Sequence, residues 1–384
     1  MVVDLYGQFA GHVGVENDQD AKVVLRNNAS RFGIRAEVSA ENWITVKANA
    51  EWAIQVGGGD DRLNFSASST GSITRVTVEP TQVPSLPTRL GWLGIDFHRY
   101  GEVRLGKTWS VYSDVSLLGD PISVFAGGAL ATFNAGTDGG DSGLGRANSA
   151  LSYRISLGPV RLGVQTQILP GYREFDSFSG SVLFTVPCKC GLTIGSAYHH
   201  AFMNGRLPLL LPGFRGNDSQ AFTASARLTR GRVSVAAAYA RTENFEASSV
   251  WLPPTLTEGV PASTLLMYGT DGFRSSAQYT TEDFTLFAGH YVARARGIEP
   301  SGTLPGLRLH EGFRPLHLLL AGGSYQLFPW AATYVEGRLD LSQNAVGRPN
   351  RIHSIVAGLA FNFSSRRALT ALLQDAAHDS SAAR

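Results

Sequence analysis

Residues 88–154 read TRLGWLGIDFHRYGEVRLGKTWSVYSDVSLLGDPISVFAGGALATFNAGTDGGDSGLGRANSALSYR. The stretch predicts two β-strands joined by a tight turn at His98-Arg99-Tyr100-Gly101, a long loop over about residues 109–145, and a third strand. Structureless inserts of that length are uncommon inside compact domains and are usually functional or disordered. In a large β-barrel such an insert has a place to go. Folded into the lumen, it narrows the hole.

Composition agrees with a barrel. The 384 residues carry 33 Lys+Arg against 31 Asp+Glu, a formal net charge of +2, and mean hydropathy is −0.03. Nothing approaches the run of about 18 apolar residues that a transmembrane helix needs. Charged residues make up only 17%, glycines number 43 and aromatics reach 10%. A transmembrane barrel hides its apolar content in alternation, so its average hydropathy is unremarkable. The basic side is nearly all arginine, with lysine only at Lys22, Lys47, Lys107 and Lys189. Arginine grips carboxylate and phosphate through a rigid fork and stays charged, although a GC-rich genome would favour its codons equally. Cys188 and Cys190 have one residue between them, where a disulfide would be strained, and no ligand cluster lies near, so they read as turn residues. No signal peptide precedes a first strand that begins almost at Met1, which suggests a mature form with an initiator methionine added.

Alternation with period two runs through the chain. Val3-Asp4-Leu5-Tyr6-Gly7-Gln8-Phe9 puts Asp4 and Gln8 on one face. Arg31, Arg35 and Glu37 oppose Phe32, Ile34 and Val38, and Lys47, Asn49 and Glu51 oppose Val46, Ala48, Ala50 and Trp52. Further pairs fall at Leu90–Phe97 with Glu102–Lys107, Ala147–Ser156 with Val160–Ile168, Phe178–Val186 with Leu192–Phe202, and Ala221–Leu228 with Val233–Arg241. Met267–Thr280 with Phe284–Arg294, His317–Leu327 with Ala331–Leu341, and a closing strand Arg351–Phe363 complete the set. The count is about sixteen, with short and long connections alternating, as expected for a bacterial outer-membrane barrel with an even strand number. Closure of first strand on last removes the edges that lipid would not tolerate. Trp43, Trp52, Phe97, Trp109, Tyr153, Phe184, Phe328, Trp330, Phe361 and Phe363 fall near strand ends, where interfacial girdles belong.

Val3-Asp4-Leu5-Tyr6-Gly7, Ser30-Arg31-Phe32-Gly33-Ile34-Arg35, Thr88-Arg89-Leu90 through Gly106-Lys107, Tyr112-Ser113-Asp114, Gly145-Arg146, Ser152-Tyr153-Arg154 and Ala357-Gly358-Leu359-Ala360-Phe361-Asn362-Phe363 resemble the trimeric general-diffusion porins of the Gram-negative outer membrane. That resemblance implies an all-β, 16-stranded antiparallel transmembrane β-barrel over residues 1–363 with a constriction loop in its lumen. It implies a homotrimer embedded among outer-membrane lipid and lipopolysaccharide, passing small hydrophilic solutes, with no nucleic-acid partner, cofactor, metal or catalysis. Its ladder of basic wall residues would here be Arg31, Lys107 and Arg146, with Arg35 as a fourth and Gln8 where a lysine is often found. Strict alternation places Arg31, Arg35 and Arg146 toward the lumen, whereas Lys107 requires a bulge at its strand end. On the loop, Val124-Phe125-Ala126-Gly127-Gly128 lacks the glutamate that many relatives carry, leaving Asp114 and Asp120 as loop acids, with Asp138 and Asp141 further along. More arginines than carboxylates in a narrow, low-dielectric section predict weak to moderate anion preference.

Other readings are weaker. Gly101–Thr108 fits GxxxxGK[ST], but its spacer alternates as a strand and no helix is expected to follow. Gly140-Asp141-Ser142-Gly143 with Ala376-Ala377-His378 resembles a serine-protease pair in reversed order. A rim hydrolase of lipase or protease type would draw on His199, His200 or His290, and a structural or adhesive barrel would conduct nothing. Asp18/Asp20 and Asp60/Asp61 are acidic outer positions suited to calcium. The tail 364–384 is expected to be helical or disordered.

Overall fold

The computed structural model describes residues 1–18, 20–54, 86–126, 129–132, 142–168, 177–202, 218–251, 263–300, 316–342 and 353–366. Among them are seventeen strand segments in one sheet. In order these are β1 (Val2–Asp18), β2 (Asp20–Asn27), β3 (Arg31–Glu41), β4 (Ile44–Ala53), β5 (Thr88–Asp96), β6 (Glu102–Trp109), β7 (Arg146–Leu157), β8 (Val160–Gln167) and β9 (Ser177–Thr185). They continue as β10 (Leu192–Ala201), β11 (Ser219–Arg230), β12 (Val233–Trp251), β13 (Ser263–Thr280), β14 (Phe284–Pro300), β15 (Leu316–Phe328), β16 (Ala331–Asp340) and β17 (His353–Ser364). One short helix, α1 (Val111–Ser116), follows β6.

Every neighbour pairs antiparallel, and β17 pairs with β1 from Tyr6↔Ser364 to Asn17↔His353, so the sheet closes. The barrel has sixteen spanning strands, because β2 and β3 are two halves of one: β2 pairs with the upper part of β1 and β3 with its lower part. Between the halves Ala29 turns to φ +53°. There Ser30 keeps the ladder continuous, its Oγ accepting from Ala10 N and donating to Ala10 O, both at 2.9 Å. Expected strand pairs all occur, with one change at the start. The first strand continues past Phe9 to Asp18 and turns directly into β2, so the first outer connection is a tight hairpin and not a long loop. Asp18 and Asp20 thus flank a hairpin tip, and their side chains lie outside the described residues, as do Asp60 and Asp61. Val13, Val15, Val23 and Leu25 continue the alternation there, which is why the strand does not stop.

Alternation sorts side chains by solvent. On β1 the outward Val3, Leu5 and Val13 are 47%, 52% and 52% exposed while the inward Asp4 and His12 are buried. Outward Leu93, Leu105, Val164, Leu286 and Ile355 repeat this around the ring. So large an apolar exterior is stable only against hydrocarbon. Trp43 stacks with Phe97 at one turn, and Phe328, Trp330 and Phe361 stack in series at another. Trp109 departs from the girdle: it lies against the Arg146 guanidinium, 5.5 Å from Cζ to ring centroid.

Cys188 and Cys190 are turn residues between β9 and β10, as expected, and are joined there by a disulfide. A short helix, α1, does follow Gly101–Thr108, against expectation, but the segment itself is strand β6 with Gly101 just before it, so the phosphate-loop reading fails on its backbone. His199 and His200 face opposite sides of β10. His199 is fully buried against Ser179, while His200 meets Asp218 at 3.1 Å. Residues Asp138, Asp141 and His378, and the tail beyond Arg366, lie outside the described residues.

Closure makes a specific demand at Gly358, where β17 crosses β1. A Cβ there would overlap the Gly11 carbonyl and the Tyr334 ring. Gly358→Val is expected to reduce the fraction of folded, heat-modifiable barrel on unheated gels, whereas Leu359→Val, on the lipid side, should fold normally.

Candidate functional site

After β6 the chain turns into the barrel and lies along the inner wall. Ser110 caps α1, accepting from Ser113 N at 2.9 Å, while its hydroxyl donates to Leu144 O at 2.7 Å. One residue therefore starts the helix and ties together both ends of the loop. Arg154 on β7 holds the entry, its Nε 2.7 Å from Asp114 Oδ2 and its NH2 donating to Trp109 O at 2.7 Å. Ser225 Oγ donates to Val115 O at 2.8 Å, fixing α1 against β11. Tyr112 is fully buried; its hydroxyl donates to Leu130 O at 3.2 Å, and burial pushes the phenol up, which keeps it neutral.

Beyond α1 the loop crosses to the far strands. Arg274 on β13, 1% exposed, binds Asp120, 4% exposed, at 2.9 Å and donates to Leu118 O at 2.8 Å. Tyr291 on β14 donates to Asp120 Oδ1 at 2.8 Å, and Ser276 to Gly119 O at 2.8 Å. Glu336 on β16 accepts from the backbone N–H groups of Ser123, Val124 and Phe125 at 3.0, 2.8 and 3.4 Å. These are charge-assisted bonds on groups that would otherwise be buried unpaired. Among the described residues, each of the buried apolar clusters contains loop residues. Ile122 and Ala129 pack on Tyr291, Leu316, Leu318 and Leu320. Tyr112, Val115, Ala131 and Leu144 pack on Ala197 and Ala221. Val124 packs on Tyr334 and Val356, and Leu130 on Ala238 and Ala240. The barrel's core is this loop–wall contact.

The described parts of the loop thus contact the wall at β7, at β10 to β17 and at Ala10 of β1, and the polar side chains of β3 to β6 lie opposite them. Gln8 pairs with Arg31 and Asp4 with Arg35 across β1–β3. Arg31 Nε lies 3.8 Å from Glu51 Oε2, and Arg89 Nε donates to Glu51 Oε1 at 2.8 Å. Arg35 is exposed and lies over the Tyr6 ring at 4.8 Å. The bulge that Lys107 required is present: the β6–β7 register shifts between Gly106 and Thr108, with Gly106 at φ +123°. Arg146, 4% exposed, pairs with Trp109.

The acids differ from expectation. Asp120 does not line the opening, because Arg274 and Tyr291 bury its carboxylate behind the loop. Asp114 is drawn to Arg154, with Arg161 at 3.7 Å. Their role is anchoring. Arg89, Glu51, Arg274, Tyr291 and Glu336 were not singled out from the sequence. Arg89 and Glu51 could have been found together, since both sit near the facing ends of adjacent strands. Arg274, Tyr291 and Glu336 carry no local signal.

A closed barrel of this strand number, apolar outside, polar on its open inner wall and narrowed by an inserted loop, is an outer-membrane channel. The chain belongs to the Gram-negative porin family, whose sequence profile matches residues 2–379, and it is an outer-membrane protein. It is similar to outer membrane porin F of Xenorhabdus nematophila, with 23% identity over 385 residues, covering 94% of this chain and 92% of that protein. Among solved structures it is similar to OmpF of Salmonella typhi in complex with daunomycin, with a TM-score of 0.67 at 18% identity over 94% of this chain and 97% of that one. It is also similar to the anion-selective porin from Comamonas acidovorans, with a TM-score of 0.63 at 14% identity over 94% and 99%. At such identities the structural likeness speaks for the fold.

Arg274→Ala leaves the Asp120 carboxylate buried without its cation, a loss of about 3–5 kcal/mol. The expected result is a lower unfolding temperature by circular dichroism and a noisier single-channel current, with part of the stability restored in Asp120→Ala/Arg274→Ala.

Proposed function

We propose that this porin passes small hydrophilic solutes and ions by passive diffusion, with a weak to moderate preference for anions, as a homotrimer contacting outer-membrane lipid and lipopolysaccharide. The observation that carries the anion preference is the fate of the loop acids. Asp114 is paired with Arg154 and Asp120 with Arg274, so neither offers an unpaired negative charge to the opening. On the facing wall two arginines, Arg31 and Arg89, share the single carboxylate of Glu51, and Arg35 is exposed. The surplus is positive, and a low-dielectric constriction amplifies it. Arg31, Arg35 and Lys107 with Gln8 make the selecting wall in this reading, with Arg146 behind Trp109 adding its charge to the local potential. The anion selectivity in the name of the Comamonas acidovorans porin agrees with it.

Trimer formation is supported by an outward groove of about 530 Å³ over β3 to β6, where small Ala36, Ala48, Ala50 and Gly91 are flanked by Ile34, Leu93 and Leu105. Its shape suits the flank of a second copy.

Reversal potential in a potassium chloride gradient is expected to carry the sign of chloride preference, and Arg31→Glu/Arg146→Glu to move it toward cations. Cation selectivity in the unaltered protein would overturn the reading. Light scattering on the detergent-solubilised protein should give three times the chain mass after subtraction of bound detergent.

A further inference from the structure

The inner wall below the Arg31–Glu51–Arg89 triad carries aromatic rings where water-facing polar groups would suffice. Tyr6 on β1 and Trp92 on β5 both point inward, as their partners show: Tyr6 donates to Asn49 Oδ1 at 2.8 Å, and Trp92 pairs with Asn49. Each ring carries a guanidinium, with Arg35 Cζ 4.8 Å from the Tyr6 centroid and Arg104 Cζ 4.3 Å from the Trp92 centroid. The four residues form one patch, because Arg35 pairs with Asn49 and Asn49 with Trp92, in a single row across β3, β4 and β5.

The two arginines are not equivalent. Arg104 donates to Glu102 at 2.7 Å and is already matched. Arg35 is exposed, its guanidinium lies over the Tyr6 ring, and Asp4 is its cross-strand partner, close enough to feel its charge without a hydrogen bond or salt bridge between them. The carboxylates nearest it in register also have other partners, Asp4 through its Oδ1 alone. Asp4 accepts from Ser364 Oγ, Ser365 Oγ and Arg366 N at 2.8, 3.2 and 3.1 Å. Glu51 is held by Arg89 and Arg31. Asn49, 5% exposed, lies beneath the two rings and accepts from Tyr6 through its oxygen. Two inter-strand steps, about 10 Å, separate the rows of Arg35 and Trp92. A rigid fork at one end and an indole at the other suit a flat molecule with an anionic group at one edge.

We propose that this patch is a binding subsite for aromatic monocarboxylates, the carboxylate seated on Arg35 and the ring against Trp92. It rests on the porin reading and names a solute class for the same lumen. The subsite would hold such solutes briefly on the way through, raising their local concentration next to the constriction.

The purified full-length porin in a planar bilayer tests it, with benzoate and cyclohexanecarboxylate as probes of equal charge and similar size. Benzoate is expected to interrupt the open-channel chloride current with longer dwell times than cyclohexanecarboxylate, by about two- to five-fold. Trp92→Leu should bring the ratio of the two dwell times to about one, and Arg35→Gln should shorten both. Equal dwell times in the unaltered protein overturn the subsite while leaving the channel intact, and that comparison requires no variant. Absence of chloride current altogether would overturn the porin reading and the subsite with it.

Discussion

Inside a bilayer a peptide group has no water to turn to, and each unpaired N–H or C=O costs several kcal/mol. Every feature of this molecule follows from meeting that demand with strands. The sheet closes because β17 pairs with β1 over twelve consecutive positions. Even the break at Asn28–Ser30 stays satisfied, with a serine hydroxyl standing in for backbone groups. Once the ring is closed, its exterior can be apolar without cost and its interior can be wet.

A wet interior poses a second problem, since a loop folded into it must be held against water. Apolar packing alone would let it slide along the wall. Here the loop is pinned at discrete points: Arg154 at Asp114, Arg274 and Tyr291 at Asp120, and Glu336 at the tip. Ionic bonds buried under the loop are specific about register in a way that leucines are not, while Leu316, Leu318 and Leu320 supply area. The same pairing neutralises Asp114 and Asp120 where the loop is fastened.

Much of this architecture could be read directly. Period-two alternation is a local property, so Asp4 and Gln8 against Leu5 and Phe9 reported the two solvents without any knowledge of partners. The bulge at Gly106–Lys107 was legible too, because Lys107 broke the alternation of its own strand. Local cues were ambiguous in places. Glycine-rich, half-polar AGHVGV after Phe9 hid the extension of β1, and the close spacing of Cys188 and Cys190 left their bond undecided.

The sequence by itself determined the barrel, its strand count and the place of the long insert after β6, since each is written in spacing and alternation along the chain. Only the tertiary structure decided which charges meet. Asp120 and Arg274 are 154 residues apart, and Glu336 lies more than 200 residues from the loop tip it holds. Neither separation nor residue type distinguishes an acid that faces the opening from one buried behind it. That distinction depends on how far each strand is sheared against its neighbours when the ring closes, a quantity no single strand contains.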